Sequence, residues 1–329
     1  MNIFIDPRFD DVYRRDPVLL VDVGARGGLR DRWKPVQPHL RVIGFEPDPL
    51  EFEALSRHAP DDSTTFLPLA LHNERAHLQL RVARDRGLTS IFEPNREFLD
   101  TFPDAARFDT VDLKSVEADA LDALIRERSI GSVDFLKVDT QGSELYVLQG
   151  ASDTLRRSAI GVEIEVEFTP LYKGQPLFAD VDLYLRDRGF ALVDLRPVYW
   201  KRAAGRSIGG PYGQIIWADA LYLKSTGALR ELVAPLNTAA GKAKLLKATS
   251  IAILYGYYDL ALEIARTIDG PLTAEERHTI DTRLLAERKG RPSTAATRVV
   301  AGVLHRLWKR LAPAADAWSI SDPRLGNDV

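Results

Sequence analysis

The stretch LLVDVGARGG, residues 19–28, sets a carboxylate, Asp22, two positions before Gly24 and follows with Gly27 and Gly28. Glycine permits positive φ and close backbone approach. The turn therefore serves either chain reversal alone or a ligand held against the main chain. Asp22 narrows the choice, because an unpaired carboxylate at the end of an apolar strand is costly to bury. It needs a donor, and the ammonium of a ligand is a suitable one. Glu46, in GFEPDP, stands 24 residues further on. An acid about 20 residues beyond a glycine turn, at the end of the next strand, accepts hydrogen bonds from a ribose diol. A pyrophosphate would call for G-x-G-x-x-G at a helix N-terminus. The spacing in GARGG differs, and Asp22 would repel a pyrophosphate. The pattern suits a cationic, aminoacyl-bearing nucleoside and disfavours a nicotinamide oxidoreductase.

Further acids follow. In VDFLKVDTQGSELYVLQGA, residues 133–151, Lys137 and Asp139 bracket a strand end. They either pair with each other or, being two apart on one face, aim at one point above the strand. GSE then starts a helix, with Ser143 as its cap and Glu144 in the first turn. In GVEIEVEF, Glu163, Glu165 and Glu167 alternate with apolar residues. Such a strand is either half-exposed with a solvated acidic face or carries carboxylates into a cleft beside Asp139. In a cleft they would hold a base, a divalent metal or acceptor hydroxyls. No motif of metal-ligand spacing selects a metal. His72, in LALHN, would titrate near neutrality; a lone histidine there is either a base or a packing residue.

The elements that must position these residues are short apolar runs alternating with helical patterns, the mark of βα units and a parallel sheet. VLLVDVG, RVIGFEP, TTFLPLALHN, VDFLKVD and IGVEIEV read as strands. A helical stretch should follow the first, LEFEALSRH the second, ALDALIRERS should precede the fourth, and SELYVLQGASDTLRR should follow it. Residues 76–114 alternate in period two and predict an antiparallel excursion. FALVDLRPV and IIWADALYLK should close the sheet as an antiparallel pair. After Lys224 the chain turns helical and alanine-rich, with a helix pair about YGYYD. Residues 288–310 carry seven Lys or Arg and no acid. Within them Val299, Val300, Val303, Leu304, Leu307 and Trp308 form one helical stripe, which either lies on a membrane surface or packs on the helical segment; packing is the preferred reading.

The chain has 329 residues, 45% hydrophobic, 28% charged, with net charge −3 and no cysteine. These values fit a globular protein, exclude disulfides and thiolate chemistry, and leave no nucleic-acid footprint. The start of the sequence lacks a basic, apolar leader pattern, and no apolar run approaches the roughly 20 residues of a membrane span. A cytoplasmic protein is expected.

In this order, VDVGARGG, GFEPDP, LALHN, LTSIFEPN and VDFLKVDTQGSELYVLQGA resemble the FkbM family of S-adenosylmethionine-dependent methyltransferases. EIEVEFTPLYKGQPLF through FALVDL resembles that family's second half, so the resemblance runs from about residue 17 to 224. It implies a Rossmann-like, doubly wound, seven-stranded α/β sheet of the class I methyltransferase kind over residues 17–224. Residues 1–16 then form an N-terminal extension, and residues 225–329 a C-terminal α-helical appendage. It implies that Asp22, Gly24, Ala25, Arg26 and Gly27 form the cofactor loop and that Glu46 and Pro47 hold the ribose, with Leu71 and Asp139 as further cofactor contacts. It also implies methyl transfer to oxygen of a sugar, glycan or glycosylated natural product, for which a base is needed. Asp139, Glu165, Glu167 and His72 are the candidates. Where the family often has DxEG, this chain reads DTQG, so Gln141 replaces an acid. The alternative function is a non-catalytic scaffold whose helical segment binds a protein partner. Residues 288–311 would make any peripheral membrane or protein contact, and an oligomer is compatible with the sequence. A fragment ending near Ser225 is expected still to bind S-adenosylmethionine but to lose acceptor recognition or assembly, the appendage reading as an interaction module; it should aggregate if the appendage instead covers the core.

Overall fold

The computed structural model describes residues 6–57, 63–208, 212–289, 299–300, 302–304, 306–307, 318–321 and 325. In chain order the first elements are α1 (Asp10–Arg15), β1 (Val18–Val23), β2 (Leu40–Phe45), α2 (Pro49–Arg57), β3 (Thr64–Leu67), β4 (Ala70–Leu71) and β5 (Ala76–Ala83). Then come α3 (Arg96–Leu99), β6 (Thr110–Asp119), α4 (Leu121–Arg128), β7 (Phe135–Val138), α5 (Glu144–Gly150), α6 (Ser152–Arg157) and β8 (Gly161–Glu167). The chain continues through α7 (Phe178–Arg186), β9 (Phe190–Trp200), β10 (Gln214–Lys224), α8 (Thr226–Val233), α9 (Thr238–Leu254), α10 (Tyr258–Thr267), α11 (Ala274–Lys289) and β11 (Ser319–Ser321).

The main sheet runs β11-β9-β10-β8-β7-β1-β2-β3. β3, β2, β1, β7 and β8 are parallel, and β10 runs antiparallel to both β8 and β9. This is the expected seven-stranded, doubly wound sheet with its antiparallel closing pair, and β11 adds an eighth strand beside β9. The antiparallel excursion is a separate sheet of β4, β6 and β5. TTFLPLALHN divides between the two sheets: β3 ends before Pro68 and β4 joins β6. A proline donates no ladder hydrogen bond, so the run cannot continue as one central strand.

β1 reads as an unbroken apolar run because both of its faces are buried. Leu19, Val21 and Val23 face a core completed by α4 through α7. Val18 and Leu20 face a second core that holds Val42, Phe135 and Leu221 from the sheet and Leu245, Ile251, Ile264 and Ile280 from α9, α10 and α11. The helices after Lys224 are therefore a layer of this fold, covering one face of the sheet.

One feature explains why that layer is needed. The helical stretch expected between β1 and β2 is only a 3-10 segment, Lys34–His39, interrupted by Pro38, which leaves that face short of a helix. α9 fills the gap and is buried nearly all round, as a helix inside a core must be. Asn237 caps it, its side chain accepting from Ala240 N at 2.9 Å. The YGYYD turn then passes to α10 with Gly256 at φ 80°, a conformation glycine adopts without strain.

The C-terminal stripe does not pack on this layer. Val299, Val300, Val303, Leu304 and Leu307 are 46–65% exposed, which corrects the packing expectation; Trp308 lies outside the described residues.

Candidate active site

Parallel strands direct their C-terminal ends to one edge, where ligands bind in doubly wound sheets. Here the ends of β1, β2 and β7 are stitched together. Gly24 N and Ala25 N donate to Phe45 O, Asp139 N donates to Val23 O, and Glu46 N donates to Leu67 O. Above them lies a cavity of about 450 Å³ lined by Gly24, Arg26, Gly27, Arg30, Glu46, Pro47, Leu71, Asp139 and Gln141, among others.

The glycines of GARGG do different work. A Cβ on Gly24 would lie 2.0 Å from Asp139 O, so Gly24 is required by packing of the main chain. Gly27 has φ 81° and nothing within 4 Å of a Cβ, so it leaves its backbone open to the cavity. Ala25 is fully buried and is not among the residues that line the cavity.

The expectation for Asp22 is corrected. It does not line this cavity; it borders an adjoining one of about 490 Å³. Its donor is internal: Lys137 Nζ lies 3.2 Å from Asp22 Oδ1 and donates to Gly24 O at 2.8 Å. Burial raises the Asp22 pKa, opposed by the Lys137 charge. Burial also works against the Lys137 charge, yet Asp22 and Asp139 hold its pKa above the ordinary lysine value. Lys137 thus fixes the Gly24 turn from below.

Glu46 is buried on the cavity wall, with Oε1 accepting from Asp48 N at 2.9 Å. Burial, with Asp48 and Glu51 nearby, raises its pKa to about 7. Asp48 is paired with Arg86, and Arg86 also lies 3.4 Å from Glu51. Arg86 comes from the loop RDRGLTSIFEPN and joins it to the β2 end, a link the sequence alone did not signal.

Asp139 follows β7 directly, beside Glu165 on β8, because β7 and β8 pair in parallel register. Gln141 joins them: its Nε2 donates to Asp139 Oδ1 at 2.9 Å and to Glu165 Oε1 at 2.5 Å. Gln141 sits at φ 55°, uncommon for a residue with a side chain. It is held there by Ser90 Oγ donating to its carbonyl at 2.6 Å, and Tyr172 Oη lies 3.3 Å from its Oε1. An acid at this position would set a third carboxylate between two others, so the amide is what the local charge requires. Asp139 Oδ2 faces Lys137 and Arg30, each at 3.7 Å.

Behind this wall the carboxylates are buried. Glu144 accepts from Thr140 N at 2.7 Å and Gly142 N at 2.9 Å, and burial raises its pKa to about 7. Ser143 precedes α5 but makes no side-chain cap, a departure from the expected capping role. Glu165 and Glu167 have pKa values well above the carboxylate range, from burial first and then neighbouring acids. Glu163 accepts from Tyr255 Oη at 2.6 Å. The acidic strand face is thus buried, and among the described residues no group of three or more His, Cys, Asp or Glu could hold a metal ion.

Of the four candidate bases, Asp139 alone is among the cavity's lining residues. His72 stacks on Tyr146, with centroids 4.9 Å apart, and burial lowers its pKa. The break at Pro68 places it just after β4, at the end of the small sheet, where it packs against Tyr146 of α5. The sequence also gave no signal for Arg30, Tyr172 or Ser90; the last two meet the site only through long-range packing.

The family model described as a methyltransferase FkbM domain matches residues 22–192. The chain is 28% identical over 177 residues to the 2-O-methyltransferase NoeI of Sinorhizobium fredii (strain NBRC 101917 / NGR234), covering 51% of this chain and 71% of that protein. It is 24% identical over 227 residues to the methyltransferase sdnD of Sordaria araneosa, covering 58% and 81%. A solved structure of a methyltransferase FkbM from Methylobacillus flagellatus KT aligns at 17% identity with a TM-score of 0.38, over 63% of this chain. The alignment spans less than half of that protein, 44%.

Proposed function

This chain belongs to the FkbM methyltransferase family, and on that premise we propose that it methylates a hydroxyl oxygen of a sugar, glycan or glycosylated small molecule. One observation carries the reading: Glu46 and Asp139, from the ends of β2 and β7 on either side of β1, line the same cavity. The similarity to a 2-O-methyltransferase supports oxygen as the acceptor atom.

The cavity fits S-adenosylmethionine by the chemistry of its wall. Glu46 would accept from the ribose hydroxyls, the open backbone at Gly27 admits close approach, and Leu69, Leu71 and Ile91 offer an apolar wall to the adenine. When bound, the cofactor supplies an electrophilic methyl group. The protein's own part is alignment and proton removal. Asp139 takes the acceptor hydroxyl's proton. Gln141 fixes the carboxylate's orientation through Oδ1. Arg30 and Lys137 face Oδ2 and favour its negative charge. Burial and the neighbouring acids raise the Glu165 pKa, which works against a second negative charge on that wall. A scaffold, the alternative reading, would leave this buried acid cluster without a use.

The test is transfer of a labelled methyl group to fractionated cell-envelope glycans. Label in an alkali-stable ether on a sugar carbon is the expected product. Label recovered only on nitrogen, or none transferred by a chain that binds the cofactor, would reject the proposal.

A further inference from the structure

The exposed stripe after α11 takes no part in the site. Residues 299, 300, 302–304, 306 and 307 are helical. Val299, Val303 and Leu307 recur every four residues, as do Val300 and Leu304, so all five share one side of the helix. Leu304 is 60% exposed and Val299 65%. Contiguous apolar surface of this kind marks a binding face. The surrounding stretch, residues 288–310, carries seven cations and no acid in a chain whose net charge is −3.

We propose that this helix lies in the plane of an anionic lipid surface, with the aliphatic stripe in the acyl boundary. Charge selects the partner. Seven cations without an acid complement a negative interface, and aliphatic residues uninterrupted by polar ones match the apolar layer that a surface helix enters to a depth of about 5–10 Å. Among the described residues no helix is long and apolar enough to cross a membrane, which agrees with an in-plane helix. The stretch is tied to the body at both ends. Before it, Ile280 and Leu284 of α11 are buried in the core; after it, β11 pairs with β9 and Leu325 is buried. Docking would therefore hold the catalytic body at the membrane surface by a double tether.

The experiment is sedimentation of the full chain with phosphatidylcholine vesicles carrying about a quarter phosphatidylglycerol, and with pure phosphatidylcholine vesicles. The expected result is pelleting with the anionic vesicles, about tenfold less with neutral ones, and release at high salt. The doubly substituted chain, Leu304→Asp with Leu307→Asp, should pellet about tenfold less while its cofactor affinity and melting temperature stay unchanged. Equal pelleting with both vesicles, or a variant that pellets like the parent, would overturn the proposal. So would a lipid-free dimer that the two substitutions dissociate and that binds no vesicle; the stripe would then belong to a second copy of the chain.

Discussion

β7 has an aspartate just beyond each end, and the two live in opposite surroundings. Asp134, at the start, is fully buried and saturated with donors. It accepts from Leu19 N at 3.0 Å and Lys247 Nζ at 2.9 Å, and Lys244 completes the set. Lys247 also reaches Asp16 at 2.6 Å, and Lys244 reaches Ser158 O at 3.0 Å. Asp139, at the other end, has one amide donor and two cations at 3.7 Å, and it borders a cavity. Buried acids behind it have raised pKa values. One strand thus carries a staple at one end and, at the other, the carboxylate proposed as the base. What distinguishes them is the supply of donors: a buried charge with every partner in place fixes structure, whereas Asp139 is only partly served and borders the cavity.

That contrast can be tested by breaking each end in turn. The largest effect is expected from ending the chain after Lys224. The fragment loses Lys244, Lys247 and the cover of Val18, Leu20 and Phe135, so it should be insoluble or aggregated in size-exclusion chromatography. A monodisperse fragment that binds S-adenosylmethionine would show that the helical layer is dispensable. Next comes Asp134→Ala, which leaves two buried ammonium groups without their shared partner. Breaking a buried pair in this way costs roughly 3–5 kcal/mol, read as a loss of stability in urea; a change below about 1 kcal/mol would dissolve the contrast. Asp139→Asn should do the reverse. It should leave the urea midpoint nearly unchanged and lower turnover roughly 100- to 10,000-fold, the usual range for loss of a general base. Glu165→Gln should reduce turnover far less; equal losses would mean that the two carboxylates act as one unit.

The smallest effect concerns Glu46. Its pKa moves from 4.5 to about 7 on folding, so the folded chain binds the proton more tightly than the unfolded one. Stability from this group is fully present below about 4.5 and is lost as pH rises towards about 7. Cofactor binding has the opposite slope, because ribose hydroxyls donate to the ionised form. Affinity for S-adenosylhomocysteine should rise through pH 7 and flatten in Glu46→Gln. Glu46→Ala should weaken it at least about tenfold, since a hydrogen bond to a charged group is worth about 1.5–3 kcal/mol. A flat wild-type profile would remove Glu46 from the ribose site.

Much of the sheet was legible because its parallel strands are covered on both faces and so appear as unbroken apolar runs. Glu46 and Asp139 were legible because a carboxylate at the end of such a run stands out. Partners far along the chain were not. Asp22 looked in need of a ligand because Lys137, on a strand 115 residues later, cannot be assigned to it by local periodicity. Nothing local signalled that Lys244 and Lys247, on an alanine-rich helix, are buried against Asp134. Composition reports how apolar a helix is, but not which acid awaits it. His72 was misplaced by a single proline, which turned one expected strand into two.

The helical layer also sets the order in which the chain can fold during synthesis. Tyr13, in α1, donates to Leu246 O, 233 residues later, and Val18 and Leu20 share a core with Ile280 and Leu284. While the ribosome is still translating, one flank of β1 has no cover, and contacts of such long sequence separation form slowly. The nascent chain must carry that apolar flank bare until α9 emerges, an interval in which holding chaperones have a surface to grip.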